Sequence, residues 1–231
     1  MTYPPFGPID AIKMVRRYAA GPSRLGRALG VSVSLIHTNI REFKRLSLFP
    51  NGFHPLRESD HYKAAILYTV CRIQRPRFVV ETGVASGIST TGILAALAQN
   101  SFGTLYSIDL PGATYTTDTG ESWKDLARQS GPGWMIPPQL KGRWVLRVGD
   151  SRSILPQVLA ELSEVDLFYH DSEHTEENMT FELNTTVRHL ASRGTLVVDN
   201  TNWSNAVGRF VARTGFRSTD LYPFLSVVRP G

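Results

Sequence analysis

The stretch from Phe78 to Asp109, FVVETGVASGISTTGILAALAQNSFGTLYSID, decides how the whole chain is read. Phe78-Val79-Val80 is a short β-branched run that leads into a glycine turn, Gly83 to Gly87. Thr90 to Gln99 is nearly all apolar and has the length of a helix, and Thr104 to Ile108 is a second strand-sized run. Two strands joined through a helix must lie parallel in one sheet, with a right-handed crossover that buries the helix on one face.

Working outward, the same alternation continues in both directions. Downstream come a polar loop, a helix near Glu121 to Gln129, and a loop through Gly131, Pro132, Gly133, Pro137 and Pro138. A strand at Arg143 to Val148, a helix at Ser151 to Leu162 and a strand at Val165 to Tyr169 follow. Thr175 to Leu190 reads as a helix with Met179, Leu183, Val187 and Leu190 on one stripe, stopped by Ser192-Arg193-Gly194 ahead of a buried strand, Thr195 to Val198. After a helix near Ala206 to Arg213, the runs Gly215 to Leu221 and Phe224 to Val228 are separated by only a Tyr-Pro turn, which predicts an antiparallel pair. Upstream, Glu58 to Gln74 is a helix that ends before Pro76. Residues 1–57 carry three turn-rich breaks (Tyr3-Pro4-Pro5, Gly21-Pro22-Ser23 and Pro50-Asn51-Gly52) between short stretches of helical spacing such as Ile9, Ile12 and Val15. The expected architecture is a helical appendage or lid, 1–57, on an α/β domain, 58–231, whose mostly parallel sheet has helices on both faces and ends in an antiparallel hairpin.

Composition narrows the field. With 42% hydrophobic and 19% charged residues in 231, the chain has ordinary globular composition, which excludes wholesale disorder, collagen-like repeats and a coiled coil. No apolar run approaches the roughly 20 residues of a membrane span. The start, with Asp10 and the pair Arg16-Arg17, lacks a signal-peptide core, so a cytoplasmic protein without membrane contact is expected. The single cysteine, Cys71, sits in an apolar helix and reads as packing. The net charge of +5 is local: residues 1–50 carry eight basic side chains against Asp10 and Glu42, and the remainder is close to neutral. Those basic residues are scattered and lack interleaved aromatics, so a solvated helical face, a lid or a homodimer contact is favoured over nucleic-acid binding.

Ligands of open α/β sheets bind beyond the carboxyl ends of the strands. Every strand end here carries an acid: Glu81, Asp109, Asp150, Asp171 and Asp199. The Gly83–Gly87 turn admits a ligand close to backbone amides, but G-x-x-x-G preceded by Glu81 lacks the third glycine of a dinucleotide site, and an acid there suits a cationic ligand better than a diphosphate. Asp109, 26 residues after Gly83, is placed to accept hydrogen bonds from a ribose, and Gly149-Asp150 suits an adenine amine.

The motifs VVETGVASGIST, LYSIDLP and VGDSRSILP, together with the terminal hairpin, resemble the class I S-adenosylmethionine-dependent methyltransferases over about Glu58 to Pro230. The resemblance implies the Rossmann-like, seven-stranded form of the expected fold. It implies a donor site made of Glu81 at the methionine end, the turn Gly83, Ala85, Ser86 and Gly87, Asp109 on the ribose, and Asp150 and Ser151 at the adenine edge. Ala85 stands where many members have a glycine. A second resemblance, of DLFYHDSEHTEEN and GTLVVDNTNW, is to metal-dependent small-molecule O-methyltransferases. It implies that Asp171, Asp199 and Asn200 hold Mg²⁺ or another divalent cation, an all-oxygen set suited to a hard ion. The same residues would serve equally as a helix cap at Asp171 and a turn at Asp199-Asn200. His174 departs from the lysine typical of catechol-type members. It is similar to the Asp-x-x-His arrangement of macrolide-sugar O-methyltransferases, which implies that His174 is the general base and Asp171 its catalytic partner; an exposed first-turn histidine is the plain alternative. His170 reads as a packing or supporting residue. Trp134 and Trp203 are candidates for the acceptor wall or for packing.

The expected activity is methyl transfer from S-adenosylmethionine to a hydroxyl of a small molecule. A nicotinamide-dependent oxidoreductase on a related sheet, and a non-catalytic module that binds a nucleoside or a nucleic acid, are the competing readings.

Overall fold

The computed structural model describes residues 20–49, 58–110, 131–222 and 224–231. The expected spacing of Ile9, Ile12 and Val15, the breaks at Tyr3-Pro4-Pro5 and Pro50-Asn51-Gly52, and the helix near 121–129 lie outside these residues.

Helix α1 covers residues 20–29. It is followed by α2 (Val33–Arg45), α3 (Glu58–Gln74), β1 (Phe78–Thr82), α4 (Ile88–Asn100), β2 (Thr104–Asp109), a 3₁₀ turn (Pro138–Arg143), β3 (Trp144–Val148), α5 (Ser151–Leu162) and β4 (Val165–His170). Then come α6 (Glu176–Thr186), β5 (Leu190–Val198), α7 (Ala206–Thr214), β6 (Arg217–Tyr222) and β7 (Leu225–Arg229). The seven strands form one sheet in the order β3-β2-β1-β4-β5-β7-β6. β1 to β5 are parallel, and β7 runs antiparallel to both β5 and β6. This is the Rossmann-like fold, mostly parallel with a closing hairpin.

Strand alternation divides the interior into two cores. Val79, Leu105, Leu167, Tyr169, Val197 and Val227 face α2, α3 and α4, whereas their neighbours Val80, Phe168, Leu196, Val198 and Val228 face α5, α6 and α7. Each fully buried aliphatic or aromatic side chain contributes roughly 1.5–3 kcal/mol, so two filled faces hold the sheet between its helices. Cys71 is wholly buried in the first core, and burial pushes its thiol pKa up, consistent with a packing role. Leu25, Ile36 and Phe43 of the N-terminal helices belong to the same core. Among the described residues no helix is long and apolar enough to cross a membrane.

Two stretches differ from the sequence reading. Gly21-Pro22-Ser23, expected as a break, lies in the first turn of α1, where a proline needs no hydrogen-bonded amide. The helix expected to run to Leu190 stops at Thr186, a 3₁₀ turn covers Val187–His189, and β5 begins at Leu190. Ser192-Arg193-Gly194 is therefore part of a strand. The register explains this: β4 advances from Val165 to Leu167 while β5 advances from Leu190 to Thr195, so the intervening residues form an irregularity that pairing on either side keeps extended.

Helix α3 is placed by a close approach. A Cβ on Gly92 of α4 would stand 2.3 Å from the carbonyl oxygen of Ala64, so only a glycine lets α3 lie this near α4. The residue beside that contact is Lys63.

Candidate active site

The strands end in a common row. Backbone hydrogen bonds continue the ladder past the strand ends from Gly149 to Asp109, Gly83 to Ile108, Asp171 to Thr82 and Asp199 to His170, all between 2.8 and 3.0 Å. The five acids thus lie along one edge, as the sheet topology requires, but they do not share one role.

At the glycine-turn end Glu81 and Asp109 are turned inward, while Asp150 is exposed. Asp109 Oδ2 accepts hydrogen bonds from the amides of Val84 and Ala85 at 2.7 and 2.8 Å, which fastens the glycine turn to β2. Gly83 and Ala85 both adopt positive φ, at 85° and 48°. At Gly83 a Cβ would stand 2.0 Å from the carbonyl oxygen of Asp171, so the residue is forced by sterics as well as by dihedral angle. The loop at 131–138 closes over the turn, with Gly133 and Met135 amides bonding the carbonyls of Ala85 and Ser86. Gly87 caps α4 with a left-handed backbone, and partly buried Trp134 lies in the covering loop. Glu81 lies completely buried beneath, hydrogen-bonded by Ser107 at 2.6 Å and by Thr90 at 3.0 Å. Burial, working against those hydroxyls, pushes its pKa up to about 8, so it keeps its proton at neutral pH. In its protonated form Glu81 repels a diphosphate less than the charged acid expected from the sequence. Asp150 is the N-cap of α5, its carboxylate accepting from the Arg152 amide at 2.8 Å, with Ser151 the first residue of the helix.

At the other end two acids converge. Asp171, following β4, and Asp199, following β5, face a single lysine ammonium: Lys63 Nζ is 2.7 Å from Asp199 Oδ2, 3.5 Å from Asp171 Oδ2 and 3.9 Å from Asp60 Oδ1. The Tyr169 hydroxyl donates to Asp171 Oδ2 at 2.7 Å. On its other side Asp171 Oδ1 is 3.5 Å from His174 Nε2. His174 sits just before the Thr175 N-cap of α6, its ring edge against half-exposed Trp203 at 5.3 Å, and the Asn200 amide nitrogen is 3.3 Å from both ring nitrogens. Asn200 has a positive φ of 50°, the tight turn expected after a strand.

The charges are coupled. Burial disfavours the charged form of Lys63, but the adjoining Asp171 and Asp199 more than reverse this and hold its pKa above the ordinary lysine value. Burial also opposes ionisation of Asp171, yet Lys63, His174 and Tyr169 hold it below the usual carboxylate range. Asp199 is pushed up to about 6 by burial and by the charge of Asp171, against the pull of Lys63. The three groups titrate as a unit, with the ammonium fixed.

The expected divalent cation can be tested against this geometry. One ligand atom each from Asp171, His174 and Asp199 lies within 4.8 Å of the others, close enough to share an ion. That space, however, already faces the Lys63 ammonium, which bonds Asp199 at ordinary hydrogen-bond length. Lys63 faces one oxygen of each carboxylate, Oδ2 of Asp171 and Oδ2 of Asp199, and sets a positive charge beside any ion held by the remaining atoms, so with Lys63 in place the set fits a divalent cation poorly.

A third buried group supports the site from the opposite face. Strand alternation places His170 with α6, where its Nδ1 is 2.6 Å from Glu182 Oε2; Thr82, Ser172 and Asn178 bond the same carboxylate. Sequence reading missed Lys63, Tyr169 and Glu182. The only signal for Lys63 was a lysine followed at once by the buried run Ala64 to Tyr68.

A family model described as "Methyltransferase domain" matches residues 80–201. No curated protein matches the sequence. Solved structures similar in fold include the following three. A methyltransferase from Podospora anserina, solved bound to SAH, is 14% identical with a TM-score of 0.55, over 100% of this chain and 99% of that one. An O-methyltransferase from Bacillus cereus in complex with SAH is 17% identical with a TM-score of 0.54, over 94% and 100%. A TDP-rhamnose 3'-O-methyltransferase of calicheamicin biosynthesis is 16% identical with a TM-score of 0.55, over 99% and 97%.

Proposed function

The chain belongs to the methyltransferase-domain family, and on that premise we propose that it uses S-adenosylmethionine as donor and methylates a hydroxyl group of a small molecule. The observation that carries the reading is the cluster of Asp171, His174 and Asp199, which gathers a base and paired carboxylates beside the row of strand ends. The O-methyltransferases of similar fold from Bacillus cereus and calicheamicin biosynthesis support the same class of acceptor.

In this reading residues 58–231 are the methyltransferase domain, and residues 1–57 are its appendage. The donor lies over the glycine turn of Gly83, Ala85, Ser86 and Gly87, with Glu81 beneath, Asp109 toward the ribose and Asp150 with Ser151 toward the adenine. The acceptor hydroxyl approaches His174. As its oxygen attacks the methyl carbon, an O–C bond forms, the S–C bond breaks with its electron pair passing to sulfur, and His174 takes the hydroxyl proton. Asp171, at 3.5 Å, orients the imidazole. Because the sulfonium is already a good leaving group, alignment is the main contribution of the protein, and alignment alone can supply several kcal/mol. Trp203, its ring on the edge of His174, forms a wall for the acceptor.

A divalent cation held by Asp171 and Asp199, with Asn200 or His174 completing the set, is the second reading. It is favoured by the spacing of the ligand atoms and requires Lys63 to withdraw.

The test is methyl transfer from labelled S-adenosylmethionine to a panel of phenols, sugars and aliphatic alcohols, with amines and thiols as controls, and with chelator or Mg²⁺ added. Label on oxygen supports the reading; label confined to nitrogen or sulfur products overturns it. Loss of turnover with chelator, restored by Mg²⁺, favours the second reading.

A further inference from the structure

We propose that Lys63 is the resident cation of this site: its ammonium, delivered by α3, occupies the place between Asp171 and Asp199 where the metal of a metal-dependent enzyme would lie. The inference rests on the O-methyltransferase reading for its consequence, but not for its geometry.

Three observations carry it. The first is position: Nζ is 2.7 Å from Asp199 and 3.5 Å from Asp171, the two carboxylates that would otherwise ligate an ion. The second is burial. The Asp199 side chain is 4% exposed and that of Lys63 16%, so the pair is largely removed from water, where an unpaired charge of either sign would be costly. The third is rigidity. Ala64, next to Lys63, lies against Gly92 at a distance that excludes any side chain there, and Asp60 one turn earlier holds the ammonium from its own helix. Lys63 is therefore carried on a fixed support, unlike a surface lysine that swings in and out.

An ammonium has three protons and no lone pair. Asp199 takes one and Asp171 attracts a second; Asp60, at 3.9 Å, lies beyond hydrogen-bond length, which leaves the third for an oxygen entering beside His174. Lys63 thereby offers the acceptor oxygen a positive charge as its proton leaves for His174, the service a divalent ion would give, without a site to load. The charge is weaker than that of Mg²⁺, which suits acceptors whose hydroxyl is already acidic, phenols above simple alcohols.

The full-length protein is titrated with Mn²⁺ and free ion is followed by electron paramagnetic resonance, for wild type, Lys63→Met, Lys63→Ala and Lys63→Arg. Retained binding of S-adenosylmethionine shows that each variant is folded. Wild type and Lys63→Arg are expected to take up no Mn²⁺, and Lys63→Met or Lys63→Ala to take up one ion per chain that Asp199→Asn in the same background abolishes. Wild-type turnover is expected to survive chelator, and Lys63→Met to lose at least a hundredfold. Uptake of Mn²⁺ by wild type at Asp171 and Asp199, or folded Lys63→Met and Lys63→Ala that bind no ion, overturns the proposal. Should no hydroxyl be methylated, the functional reading fails, while the Mn²⁺ titration still decides the role of Lys63.

Discussion

Glu81 and Asp199 both stand at the carboxyl edge of the same sheet, and both are buried, yet the structure keeps them in opposite states. Among the described residues Glu81 has only hydroxyl partners, Ser107 and Thr90, and burial pushes its pKa up to about 8, which favours the protonated form. Asp199 has a lysine at 2.7 Å and forms an ion pair. Glu182, behind them, is held below its ordinary pKa by His170 although burial opposes this. An acid at a strand end is thus defined less by its position than by the partner that a distant helix brings to it.

That contrast can be broken most strongly at the charged end. Asp199→Ala removes the closest counter-charge of Lys63, and turnover is expected to fall about a thousandfold, near 4 kcal/mol of transition-state stabilisation, with donor affinity almost unchanged. Steady-state kinetics beside calorimetry separate the two, and an equal loss in both would place Asp199 in the donor site instead. Gly83→Ala attacks the junction between the ends, because its Cβ meets the Asp171 carbonyl at 2.0 Å. Strain and overpacking together predict a loss of roughly 3 kcal/mol of stability, read by denaturant unfolding. Tyr169→Phe deletes the hydroxyl that bonds Asp171 at 2.7 Å. Its expected cost is about 1.5 kcal/mol, with a several-fold drop in kcat; an unchanged kcat would confine Tyr169 to a packing role.

Glu81→Gln sharpens the neutral side of the comparison. The folded pKa of Glu81, about 8, lies above its unfolded value of 4.5. Between those limits the unfolded chain releases a proton that the folded chain retains, so the stability of the wild type falls as pH rises. The glutamine variant lacks this contribution. Thermal unfolding should show the wild type losing ground to it by about 1 kcal/mol per pH unit from pH 5 to 8. Parallel curves would mean that Glu81 is ionised throughout.

Most of the fold was legible because buried parallel strands are short apolar runs and the helices between them carry one apolar face. Ser192-Arg193-Gly194 was misread because local text marks it as a breaker, whereas pairing of β5 with β4 on both sides holds it extended. The acids of the site were legible for a topological reason: the chain must turn at the same edge after every parallel strand. Which acids would converge was not. Lys63 lies 136 residues from Asp199 and Glu182 belongs to another helix, so no local spacing joins them to the strand ends. The structure also gave Asp109 and Asp150 work within the protein, fastening a turn and capping a helix, that their positions alone did not reveal.

The contact between Gly92 and Ala64 links the two halves mechanically. Helix α4 starts at Gly87, on the donor turn, and touches α3 one turn later, beside Lys63, with no side chain between the backbones to absorb a displacement. A shift of α4 when its first turn meets a ligand would pass to the ammonium as a rigid strut passes load.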